Sequence, residues 1–82
     1  MLAPTVHLNG TSQEHLLDQV TAAATALRAA LEKMQDAAPN ARDYYPQGDG
    51  AYQQAEAEHR SRVRRVQEVL AEYERLAETL AG

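Results

Sequence analysis

Apolar positions in the first half of the chain keep a period of seven. Leu17, Ala24, Leu31 and Ala38 form one row, and Val20, Leu27 and Met34 form the complementary one. Leu16, Ala23 and Ala30 flank that seam and make the face wider than a strict two-stranded coiled coil requires. The run TAAATALRAA is rich in the strongest helix former, and its small side chains let another helix approach closely. Thr11 is a good N-cap, and Glu14 three residues later completes the capping-box spacing, in which each side chain satisfies a free backbone N–H of the other's residue. Ala38-Pro39-Asn40 ends the pattern, because the residue before a proline is pushed out of the helical region.

The second half repeats the theme for about thirty residues. Tyr52, His59, Val66, Tyr73 and Leu80 share one row, Val63, Leu70 and Ala77 the other, with Val69 and Leu76 beside them. Asp49 is expected to cap this helix, since its carboxylate accepts from free N–H groups and favours the positive end of the helix dipole. Ahead of the first helix, Val6 and Leu8 alternate with Thr5 and His7, which suits a brief extended segment, and Asn9-Gly10 turns the chain. The expected fold is all-α: an extended leader over 1–10, a helix over 11–38, a connector over 39–49 and a helix over 50–81. Together they make one domain, a long antiparallel helical hairpin.

Length and composition add a partner. At 82 residues with much of the apolar content in Ala, a hairpin alone buries little area against the entropy of ordering the chain. Self-association into a four-helix bundle or a higher oligomer is therefore expected. With no Cys, disulfides, thiolate metal sites and Cys nucleophiles are excluded. A net charge of -4 argues against general nucleic-acid binding, which needs a basic surface to neutralise phosphates. No apolar run approaches the roughly 20 residues that span a bilayer, and MLAPTVHLNG lacks the basic start and apolar stretch of a signal peptide. A cytoplasmic location is expected, and with no secretion signal the Asn9-Gly10-Thr11 sequon is read as unmodified.

Candidate chemistry is sparse. HRSRVRR carries Arg60, Arg62, Arg64 and Arg65, but these spread around more than half the helix. Glu56–Arg60, Glu58–Arg62 and Arg64–Glu68 stand at the i, i+4 spacing of surface ion pairs. The expectation is a solvated, salt-bridged band; the alternative is an anion met in a groove by one or two of these arginines with Arg28. His7, His15 and His59 have no metal-pair spacing, and His59 falls on the apolar seam, where it is read as a core or interface residue. No nucleophile is spaced beside a base, and DYYPQGDG lacks the alternating acidic ligands of a calcium loop. Neither an enzyme nor a cofactor is expected.

Two features remain. Asn9-Gly10-Thr11-Ser12 puts a Gly-led turn and two hydroxyls at a helix start, a geometry that suits either an anion or simply a good cap. The connector stretch ARDYYPQG is longer than closure requires; Tyr44 and Tyr45 suit stacking on a planar ligand or burial against a partner, with Arg42 and Asp43 adding an ion pair or polar contact. The plainer alternative has one tyrosine closing the end of the bundle and the other exposed. Within one hairpin the two features lie roughly 40 Å apart at 1.5 Å per residue. In an antiparallel dimer they become neighbours, and Asn9, Thr11, Ser12, Arg42, Asp43, Tyr44 and Tyr45 form two composite sites for a phosphorylated or nucleotide-like ligand.

VHLNGTS before the first helix and PNARDYYPQG between the two resemble a group of short proteins encoded in bacteriophage and prophage genomes. The resemblance spans nearly the whole chain and implies a host-directed accessory protein in the bacterial cytoplasm. Such a protein acts stoichiometrically; the leading expectation is sequestration of a nucleotide-like signal at the inter-subunit sites, with occlusion of a host protein or a purely structural assembly bundle as the alternatives. It supplies no catalytic residues.

Overall fold

The computed structural model describes residues 1–82 as an all-helical rod of 62 × 20 × 18 Å without strands. Helix α1 runs Gln13–Asp36, a single-turn helix α2 runs Ala41–Tyr44, a 3₁₀ turn covers Tyr45–Gln47, and helix α3 runs Ala51–Ala81. The two long helices pack antiparallel. At the open end Gln13 Nε2 donates to the Leu80 carbonyl, satisfying a last-turn acceptor that has no partner within its own helix. Midway along, Arg28 Nη2 meets Glu74 Oε2 at 3.0 Å. Both side chains of this pair are about half exposed, so it fixes register more than it stabilises.

The helix ends differ from the expected ones in instructive ways. Ser12, not Thr11, is the N-cap of α1: its backbone is extended and its Oγ accepts from the His15 N–H at 3.2 Å. That residue is the third of the helix, the position a cap normally reaches, so Glu14 falls one place short and the expected capping box does not form. We expect Ser12→Ala to cost about 1 kcal/mol and Thr11→Ala to be near neutral, measured by denaturant melts. Helix α1 ends at Asp36, two residues before the expected 38. The Ala37 N–H turns back to the Met34 carbonyl at 3.1 Å, tightening the last turn ahead of Pro39. Helix α3 starts without Asp49 as cap. Gly50 occupies the N-cap position at φ 87°, with no side-chain bond to the helix. Only a left-handed residue redirects the chain into α3 here, and glycine takes that conformation without strain. The leader forms no strand, but the expected turn is present: the Gly10 N–H donates to the His7 carbonyl at 3.1 Å.

Packing is thin. Only Ala24 and Leu80 are fully buried, at 3% and 4% exposure. Leu16, Leu17, Val20, Leu27, Leu31 and Met34 of α1 are half-buried, as are Val63, Val66, Leu70, Tyr73 and Leu76 of α3. The heptad rows thus meet each other without fully burying their side chains, and Val69 is the one large apolar residue of the long helices that stays 40% exposed. Two helices of this width cannot enclose a core between them.

Candidate functional site

The connector end holds the best-formed candidate. Asn40 Oδ1 accepts from the Arg42 N–H at 3.2 Å and nucleates α2, and Pro46 sits in the first turn of the 3₁₀ segment. What the sequence suggested as a loop is therefore helical over residues 41–47. Gly48, at φ 96°, and Gly50 then reverse the chain into α3. This compact return brings Tyr44, Tyr45 and Tyr52 around one open groove of about 490 Å³. Tyr44 and Tyr52 are half-buried, while Tyr45 is 85% exposed. The split between a packed and a bare tyrosine matches the plainer of the two expectations for the pair. Asp49 is the one charged side chain lining the groove. One turn along α3, the Glu56 carboxylate raises the Tyr52 phenol above its ordinary value, first by hydrogen bonding and then by charge.

Arg42 and Asp43 sit on α2 outside this groove, and they form no ion pair with each other. The arginine expected to hold an anion beside the tyrosines therefore does not line their groove. Tyr52 joins the groove as a third ring, although its heptad position places it on the helical seam. The signal was available: Tyr52 follows Gly50 by two residues, so it must lie at the same end of the rod as Tyr44 and Tyr45.

The other expected half lies at the far end. Asn9 is in the leader turn and exposed, Thr11 is exposed, and the Ser12 hydroxyl is committed to the His15 N–H. The shallow groove beside Ser12, about 500 Å³, carries Glu14 and Asp18. Two carboxylates there oppose a phosphate more than one helix dipole attracts it. The single chain therefore does not bring Asn9, Thr11 and Ser12 together with Tyr44 and Tyr45, as the hairpin geometry required, and the surroundings of Ser12 are those of a helix cap.

The arginine band resolves mostly as expected. Arg60 pairs with Glu56 at 3.3 Å and Arg64 with Glu68 at 4.0 Å, whereas Glu58 and Arg62 do not pair. Arg28 is engaged by Glu74 across the hairpin rather than joining the band. Arg62 and Arg65 flank a groove of about 360 Å³ floored by Leu27, Val66 and Val69, with Val69 40% exposed. This patch lies near the middle of both long helices. His59 is half-buried on the apolar side of α3. No three His, Asp or Glu side chains converge as metal ligands would, and no helix is long and apolar enough to cross a membrane.

Compared with family models, with curated proteins and with solved structures, the chain matches none of them.

Proposed function

We propose that this protein is a non-enzymatic, self-associating helical hairpin that acts by stoichiometric protein contact. The observation that carries the reading is the unfinished core: two fully buried residues in a chain of 82, with the other large apolar residues of both long helices only partly buried and Val69 40% exposed. Apolar surface of this extent is stabilised by removal from water, at about 25 cal/mol per Å². The most economical cover is a second hairpin laid antiparallel on the first, which closes a four-helix bundle. In the host-directed setting that the phage-like resemblance implies, the finished bundle occupies a bacterial protein in the host cytoplasm and inhibits it by occlusion. Sedimentation equilibrium of the full chain is the direct test. A mass twice that of the chain is expected, with thermal melting that rises with protein concentration; a monomer at 100 µM-scale concentration, well above a micromolar dissociation constant, removes the reading.

A second reading has one specific observation in its favour, the three tyrosines on a single groove. Aromatic walls suit a planar ligand such as a nucleotide base. In an antiparallel dimer the Asn9–Ser12 end of the partner would stand next to it, as part of an inter-subunit site. This reading predicts that some mono-, di- or cyclic nucleotide, at 100 times its dissociation constant, stabilises the fold by roughly 2.7 kcal/mol. Tyr45→Ala would abolish that shift without loss of helicity. Unchanged melting across the nucleotide panel eliminates this second reading and leaves the first intact.

A further inference from the structure

Six large apolar side chains are exposed, and four of them, Met1, Leu2, Val6 and Leu8, belong to the leader. Leu2 and Leu8 are 95% and 97% exposed and find no apolar seat on their own hairpin, while Val6 is 48% exposed and so half covered. The fifth, Tyr45, forms part of the connector groove at the other end of the rod, and the sixth, Val69, lies midway. We propose that the leader is an exchanged arm, with Val6 and Leu8 of one copy seated in the Tyr44–Tyr45–Tyr52 groove of a second copy. The inference rests on the antiparallel dimer and names what its ends do.

Reach decides that the exchange is between chains. Leu8 lies four residues from the Ser12 cap, so it extends at most about 14 Å from the start of α1, and Val6 about 21 Å. The connector begins beyond the far end of a 24-residue helix, roughly 36 Å away at 1.5 Å per residue. Neither side chain reaches the groove of its own chain. An antiparallel second copy places its leader at that groove by symmetry, and does so twice. Chemistry agrees. The groove offers aromatic walls and one carboxylate, Asp49. Residues 1–8 carry no acidic side chain, and their one ionisable side chain is His7, so nothing on the arm repels Asp49. Pro4 disfavours a helix through the leader, and the His7–Gly10 turn sets Leu8 at the bend, where its side chain is exposed.

Because the chain has no Cys, a cross-link reads the geometry directly. Leu8→Cys and Tyr45→Cys chains, one carrying a mass tag, are mixed and oxidised. A disulfide-linked mixed dimer is expected in preference to either self-linked species, together with at least tenfold weaker dimerisation of Leu8→Asp in the otherwise native chain. A dimer by sedimentation that yields no mixed cross-link and is indifferent to Leu8→Asp overturns the arm while leaving the bundle standing. Preferential Leu8→Cys self-linking shows that the chains run parallel, and it overturns the arm too. A chain that sediments as a monomer overturns both. If Tyr45→Cys itself weakens the dimer, nitration of Tyr45 in the unaltered protein supplies the same answer: protection on dimerisation supports the arm, and equal reactivity in monomer and dimer refutes it.

Discussion

Val69→Asp is expected to convert the proposed dimer to a monomer and to remove most of the concentration-dependent thermal stability that the dimer would confer. Val69 is the one large apolar residue of α3 that remains 40% exposed, and it floors the groove at the middle of the rod with Leu27 and Val66. In an isologous antiparallel pair the two-fold axis passes through that middle, so a residue there lies near its own copy and one substitution acts twice. Losing two buried valines removes about 3 kcal/mol at roughly 1.5 kcal/mol each, which alone weakens association about a hundredfold. Burying a carboxylate there adds a desolvation cost, offset in part by Arg65 one turn back on the same groove. Val69→Leu, which keeps the apolar character, should retain the dimer. If Val69→Asp sediments like the unaltered chain, the open face is not the dimer interface.

Leu80→Ala should be the most damaging truncation within the hairpin itself. Leu80 is one of two fully buried residues, and its backbone carbonyl accepts the hydrogen bond from Gln13 that ties the start of α1 to the last turn of α3. Removing a buried leucine side chain costs about 2–5 kcal/mol, and the lower part of that range applies where a chain end can relax into the space. For a domain of this length each kcal/mol lowers the melting temperature by about 4–8 °C. A drop of about 10–20 °C by circular dichroism is therefore expected, well beyond the effect of Ser12→Ala. A change below about 3 °C would mean that the last turn of α3 frays in solution and that the Gln13 contact does not hold it.

The two substitutions test different levels of the structure. Leu80→Ala weakens the hairpin, and a dimer that survives it shows pairing to be driven by the open face. Val69→Asp leaves the Gln13–Leu80 contact in place and acts at the middle of the rod, where Val69 also meets Leu27 of α1, so circular dichroism of the monomer separates a loss of pairing from a loss of the hairpin.

Much of the hairpin was legible because its apolar residues repeat at the helical period for longer than any loop could sustain. That pattern located both long helices to within two residues at each end. Caps were less legible, since Thr11 and Ser12 offer equivalent hydroxyls, and only the backbone geometry selects the one whose oxygen reaches the third N–H of the helix. At the start of α3, Asp49 has the better capping chemistry, yet the need for a left-handed residue at the turn gave the position to Gly50. The connector was the least legible part. Asn40 capping α2 and Pro46 favouring a 3₁₀ turn are local signals, but their sum is a compact return that sequence spacing does not display.

The site divides along the same line. The sequence by itself determined that two long amphipathic helices form, that they run antiparallel, and that together they carry too little bulk to finish a core. Those conclusions follow from periodicity, connector length and side-chain size, which are properties of the chain before it folds. Only the tertiary structure decided which residues share a surface. It left Arg42 and Asp43 out of the tyrosine groove, brought Tyr52 into it, and set Glu14 and Asp18 beside Ser12. The reason is physical: helical phase fixes a side chain's direction within its own helix, but a junction between helices depends on the path of the backbone between them. Here two positive-φ glycines set that path.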